Sequence, residues 1–174
     1  MATGRVSIYT GSGHGKTPAA LGIALQRAVR GENVMVIQFL KGEGLDQSPF
    51  LERLEPELRI FRFEKSRLPF DQRSDQEKQE DAAAIRNGIC FARKILNTAE
   101  CDLLVLDEIL AVVDNEIATV QELGELVEKR GGTDIVMTGI TRNEEIFRLA
   151  DEVTRVVTER GAGEAQYGGR YVSI

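Results

Sequence analysis

A chain of 174 residues has the length of one domain with its own core, and 42% hydrophobic against 29% charged residues excludes a disordered segment. The net charge of −6 argues against a nucleic-acid partner, because binding a phosphate backbone rests on clustered Lys and Arg. No apolar run approaches the length of a membrane span, so a small-molecule site in a cytoplasmic protein is expected, with no membrane partner.

Met1 leads straight into a first strand at 5–10, with no apolar signal core before it. The loop Thr10-Gly11-Ser12-Gly13-His14-Gly15-Lys16-Thr17 follows and opens a helix. Strand, glycine loop and helix in succession separate a phosphate loop from a chance glycine cluster. In that setting backbone N–H groups and the helix N-terminus converge on phosphate oxygens. Lys16 adds a full positive charge, and the Thr17 hydroxyl can ligate Mg2+. The spacing is short, however. A Gly-x4-Gly-Lys-Ser/Thr loop needs glycine where Thr10 stands, and only three residues separate Gly11 from Gly15. That departure weakens the default reading of γ-phosphate hydrolysis. His14, the only histidine, reads as a rim donor to a phosphate or to water rather than as a general base.

The first helix runs from Thr17 to Gly31, with Pro18 in its first turn, where a missing N–H costs nothing. Leu21, Ala24, Leu25 and Ala28 form its expected core stripe. The next strand, 34–39, contains the continuous apolar run Val34-Met35-Val36-Ile37, suited to the centre of a sheet covered on both faces. The loop at 41–48 lies beyond its carboxyl end, where open α/β sheets bind ligands. After a strand at 58–63, a long helix begins somewhere beyond Phe70 and reaches about Ala99. Ile85, Ile89, Ala92 and Leu96 share one face of it. Residues 71–81 are nearly all polar and read as a solvated turn or frayed start.

The strand at 102–106 holds a second continuous run, Leu103-Leu104-Val105-Leu106, and Asp107-Glu108 follows directly. Carboxylates at a strand end beside a phosphate loop are the usual second anchor for Mg2+. A helix at 117–129 with Val120, Leu123 and Val127 inward comes next, then a strand at 134–138, a short helix at 143–150 and a strand at 152–158. The tail from 160 to 174 shows little periodicity. Cys90 and Cys101 are too far apart for a metal-type pair, and each is expected to be buried as a small hydrophobe. The alternation predicts an α/β fold: one three-layer P-loop NTPase-like (RecA-like) domain over residues 1–174, with a mostly parallel sheet of about six strands. No Ser-His-Asp or Cys-His arrangement is present. On these residues alone a P-loop ATPase, a small-molecule kinase and a non-catalytic ATP-binding module all stay open.

The same residues resemble the P-loop ATP:corrinoid adenosyltransferases. That family carries a short loop Gly-x-Gly-x-Gly-Lys-Thr-Thr-Ala-Ala, and here Gly11-Ser12-Gly13-His14-Gly15-Lys16-Thr17-Pro18-Ala19-Ala20 is similar to it. Its next strand ends Val-x-Gln-Phe-x-Lys-Gly, matched by Val36-Ile37-Gln38-Phe39-Leu40-Lys41-Gly42, the most specific segment. Leu106-Asp107-Glu108, Ile135-Val136-Met137-Thr138-Gly139 and Leu149-Ala150-Asp151-Glu152-Val153-Thr154 follow in the family's order.

The resemblance implies that a cobalt(I) corrinoid attacks the 5′ carbon of ATP and expels triphosphate, with ATP reversed relative to other P-loop enzymes. It makes Lys16, Thr17 and Glu108 the catalytic set, with Thr17, Asp107 and Glu108 around Mg2+. Gly11, Ser12, Gly13, His14, Gly15, Lys16, Thr17 and Pro18 then cradle ATP, and Arg27, Lys41 and Arg142 reach it. Phe39 and Phe70 form an apolar face toward the corrinoid. The implied partners are ATP, a reduced corrinoid, a flavoprotein reductant and a second copy in a homodimer. The chain departs from the family at His14, Pro18 and Ile140, where Lys, Thr and Arg are usual. Leu68-Pro69-Phe70 stands where some members carry Phe-x-Trp.

Overall fold

The computed structural model describes residues 3–160, apart from 42–48, 65, 67 and 69–71. Its strands are β1 (Val6–Thr10), β2 (Val34–Gln38), β3 (Leu58–Arg62), β4 (Leu103–Asp107), β5 (Asp134–Thr138) and β6 (Glu152–Arg155). They form one sheet in the order β3-β2-β4-β5-β1-β6, with every pairing parallel. The helices are α1 (Lys16–Val29), α2 (Asp75–Thr98), α3 (Ile109–Asp114) and α4 (Val120–Glu128).

The period of two along each strand sorts the core into two layers. Met35, Ile37, Leu104, Leu106, Ile135 and Met137 pack in one cluster with Ile85, Ile89 and Ile95 of α2, Ile109 and Leu110 of α3, and Leu123 and Leu126 of α4. Their strand neighbours Val34, Val36, Leu103, Val105 and Val136 pack in the other with Ala20 and Ala24 of α1. Helices on both faces explain why β2 and β4 are buried at every position and read as unbroken apolar runs. Among the described residues no helix is long and apolar enough to cross a membrane.

Several local expectations are corrected. The polar opening of the long helix is ordered, not frayed. Ser74 caps α2 and shares a capping box with Glu77, a pattern that satisfies two otherwise orphaned N–H groups. Within it Arg73 and Asp81 form a buried ion pair at 2.9 Å, with side chains 0% and 6% exposed. In α1 the buried face is Lys16, Thr17, Ala20 and Ala24, whereas Leu25 is exposed. Alanines let the helix lie close to the sheet, which turns Leu25 outward. Helix α3, unforeseen because Ile-Leu-Ala-Val-Val reads equally as strand, follows β4 directly. The segment expected as a short helix at 143–150 is a 3-10 helix, Glu144–Leu149, opened by the Asn143 side chain. Strand β6 ends at Arg155, because its partner β1 turns away at Thr10 into the glycine loop.

The two cysteines also part company: Cys101 is buried, and Cys90 is exposed on α2. Burial pushes the Cys101 thiol up to about 12. A thiol-alkylating reagent at neutral pH is therefore expected to label Cys90 alone in the folded protein, with Cys101 reacting only on unfolding. Mass spectrometry of the labelled chain reads this directly. Double labelling under native conditions would contradict the burial of Cys101.

Candidate functional site

Beyond the carboxyl ends of β1, β2, β4 and β5, four polar strand ends converge. Strand β1 stops at Thr10, α1 starts at Lys16, and residues 11–15 make the turn between. Gly15 occupies the N-cap of α1 with no side-chain cap, and the first turn carries no acidic residue. The N–H groups opening α1 thus lack a side-chain acceptor, the arrangement that favours an anion. The glycines have a second reason. Val156, just past β6, donates to Thr10 and accepts from Gly13 N–H at 2.9 Å. Gly11 sits at φ 105, and a Cβ there would collide with the Val156 carbonyl. The loop is therefore braced from behind by Val156, and the Gly13 N–H is already engaged. Ser12, His14 and Pro18 are exposed around it.

Lys16 is buried, and its ammonium donates to the carbonyls of Gly11 at 2.8 Å and Gly13 at 2.7 Å. The next side chain, Thr17, donates from its hydroxyl to Asp107 Oδ1 at 2.8 Å. Asp107 ends β4 at 1% exposure, which would be costly without partners. It accepts hydrogen bonds from Thr17, from the Thr138 hydroxyl at the end of β5 at 2.6 Å, and from the Gln38 amide at the end of β2 at 3.2 Å. Glu108 follows in a left-handed backbone at φ 63, ψ 18, with its N–H on Thr138 Oγ1 at 2.9 Å. Such a conformation costs a non-glycine residue ~1–3 kcal/mol and clusters at functional sites. Burial pushes the Glu108 carboxyl up, and the nearby Lys41 charge opposes this.

Lys41 completes the group. Its Nζ lies 3.0 Å from Thr17 Oγ1, 3.6 Å from Asp107 Oδ2 and 3.7 Å from Glu108 Oε1. These three oxygens are hard donors, one hydroxyl and two carboxylates, and a cation already stands among them. The donor set fits Mg2+, which takes few protein ligands and completes its shell with water and substrate phosphate.

Sequence reasoning missed Gln38 and Thr138. Each is a buried polar residue ending an apolar strand, and that break in pattern was the available signal. Two of the expected site residues lie apart from this group. Arg27 binds Glu32 and Asp134, the latter at 2.8 Å and at the opposite, amino end of β5. Eleven residues of helix set it about 16 Å from Lys16, so it joins α1 to the sheet rather than reaching a nucleotide in this loop. Phe39 is 0% exposed and packs in the core, not on an apolar face open to a ligand. Phe70 lies outside the described residues. Arg142 is exposed past the carboxyl end of β5, with its N–H on Asp114 Oδ2 at 2.8 Å. It lines a cavity of about 1040 Å³ with Val113, Asp114, Asn115, Glu116, Asn143, Glu144 and Glu145, a lining that includes none of Lys16, Thr17, Lys41, Asp107 or Glu108.

Residues 2–170 match the family model described as ATP:corrinoid adenosyltransferase BtuR/CobO/CobP. A corrinoid adenosyltransferase of Escherichia coli (strain K12) is 29% identical over 163 residues, covering 93% of this chain and 81% of that protein. The corrinoid adenosyltransferase CobA of Salmonella typhimurium shows the same identity and coverage. One from Pseudomonas aeruginosa is 24% identical over 163 residues, 93% of this chain and 79% of that protein.

Proposed function

This chain belongs to the ATP:corrinoid adenosyltransferase family, and we propose that Lys16, Thr17, Lys41, Asp107 and Glu108 are the triphosphate and magnesium apparatus of its reaction. The activity transfers the 5′-deoxyadenosyl group of ATP to the cobalt(I) of a corrinoid. A cobalt electron pair forms the bond to C5′, the C5′–O bond breaks, and its pair leaves on triphosphate. The nucleophile arrives with the substrate, so the protein needs no Ser, Cys or His of its own. Its work is to hold two substrates in line and to stabilise charge growing on the leaving group.

The observation that carries this reading is the convergence of three distant segments on one cluster of oxygens and ammonium groups. Lys16 and the start of α1 bind triphosphate oxygens. Thr17, Asp107 and Glu108 would hold Mg2+, with Asp107 also orienting Thr17 through their 2.8 Å bond. When bound, Mg2+ supplies neutralising charge to the triphosphate. Ser12, His14 and Pro18 form the exposed rim, and Arg142 is a further nucleotide contact carried by the resemblance. For the corrinoid, Phe70 is the aromatic carried by the resemblance. The reading is of one domain that works as a homodimer supplied with electrons by a flavoprotein.

Incubation with a reduced corrinoid and Mg-ATP tests it. The expected result is the visible spectrum of a cobalt–carbon bond with stoichiometric triphosphate. Release of ADP or orthophosphate without adenosylated corrinoid would favour phosphoryl transfer instead.

Glu108→Gln checks the metal assignment separately. The half-saturating Mg2+ concentration is expected to rise roughly 10–100-fold, the scale seen when a metal site loses a supporting group. Thermal melting should barely move, since Glu108 is a strand-end residue outside both core clusters. An unchanged Mg2+ titration would make Glu108 structural.

A further inference from the structure

Lys41 holds the position that the proposed reading gives to magnesium. Its ammonium lies 3.0–3.7 Å from Thr17 Oγ1, Asp107 Oδ2 and Glu108 Oε1, and its side chain is 14% exposed. We propose that Lys41 is the resident counter-cation of this site in the nucleotide-free protein, so that divalent metal enters only together with triphosphate. The inference rests on the assignment of Thr17, Asp107 and Glu108 as metal ligands.

The placement of this lysine is built, not incidental. Strand β2 ends at Gln38, and Phe39 still donates its N–H to the Asp107 carbonyl at 2.9 Å. At Leu40 the backbone turns into the left-handed region, φ 56, which aims the next residue back toward β4. The Leu40 N–H is held by a carboxylate oxygen of Glu64, which is 5% exposed just beyond β3. The other Glu64 oxygen, Oε2, has no hydrogen-bond partner among the described residues. Glu64 is thus a positioning residue. It clamps the turn that delivers Lys41, and it touches none of the three ligand oxygens.

The physical consequence is competition. Asp107 and Glu108 are adjacent carboxylates, and the charge of Lys41 offsets their repulsion. A divalent ion must displace that ammonium while shedding part of its own tightly held water. Triphosphate changes the balance, because its oxygens offer Lys41 new acceptors and Mg2+ new ligands together. Nucleotide and metal should therefore bind with positive coupling, and by linkage each tightens the other equally.

The test is Mn2+ binding to the nucleotide-free protein, read from the electron paramagnetic resonance signal of free Mn2+. Wild type is expected to bind weakly, and Lys41→Met about tenfold tighter or more, because one positive charge has left the site. Glu64→Ala should move Mn2+ affinity in the same direction. Glu64→Gln keeps an oxygen for the Leu40 N–H and should bind Mn2+ as wild type does. A melting curve accompanies each variant, and a role for Glu64 in folding alone would shift melting without tightening Mn2+. If Lys41→Met binds Mn2+ no better than wild type while Glu108→Gln still raises the Mg2+ requirement, the counter-cation proposal is overturned and the metal site stands. If Glu108→Gln is also without effect, the metal assignment falls first.

Discussion

Lys16→Ala is expected to abolish adenosyl transfer and to weaken ATP binding by roughly ten- to more than a hundredfold. Lys16 is buried at the mouth of α1, and its ammonium bridges the Gly11 and Gly13 carbonyls at 2.8 and 2.7 Å. Those bonds fix the charge inside the loop before any phosphate arrives. A charge-assisted contact of this kind is worth about 1.5–3 kcal/mol, which converts to the stated range in affinity. Turnover should suffer more, since charge on the departing triphosphate exceeds that on bound ATP at the point Lys16 would meet it. Alanine is the best helix former, so α1 keeps its start, and Val156 still braces the loop from outside. Titration calorimetry with ATP, beside a melting curve, separates the effects. An unchanged ATP affinity would remove Lys16 from the phosphate site.

The loop was legible because its chemistry is local. Glycines, lysine and threonine are consecutive, and the strand before and helix after them follow from period alone. The central strands were legible for a related reason: burial on both faces leaves Val34–Gln38 and Leu103–Asp107 with apolar runs that no exposed strand could carry. What escaped depends on packing between distant segments. Arg27 lies in the loop's own helix, so adjacency in sequence suggested reach, yet the helix rise carries it to the amino end of β5. Asp81 looked solvated because it closes the polar run that starts at 71, and only the fold brings Arg73 against it. The Ser74-x-x-Glu77 pattern nonetheless announced an ordered helix start there. Lys41 was expected at the nucleotide. Its seat among Thr17, Asp107 and Glu108 depends on a left-handed Leu40 and a clamp from Glu64, neither of which has a periodic signature.

Phe39→Ala is expected to cost about 3–5 kcal/mol of stability, or roughly 6–20 °C in Tm, and to lower ATP affinity in parallel. The ring is 0% exposed in the layer between the sheet and α2. There it fills a notch left by Gly88, where a Cβ would stand 2.9 Å from Phe39 Cε1 and 3.0 Å from Phe63 Cδ2. Phe63 in turn packs on Phe91 of α2, with ring centroids 5.6 Å apart. Truncation would leave a cavity at the joint of β2, β3 and α2. The backbone of the same residue binds Asp107 and precedes the turn that delivers Lys41. Loosening the ring therefore loosens the site, and stability and nucleotide affinity should fall together. A Phe39 that faced the corrinoid would behave otherwise, losing adenosylation while Tm and ATP binding held. Phe39→Leu sharpens the contrast, because it restores most of the buried volume but no aromatic face. Recovery of both Tm and adenosylation in Phe39→Leu would fix Phe39 as packing. Recovery of Tm alone would return it to the corrinoid side.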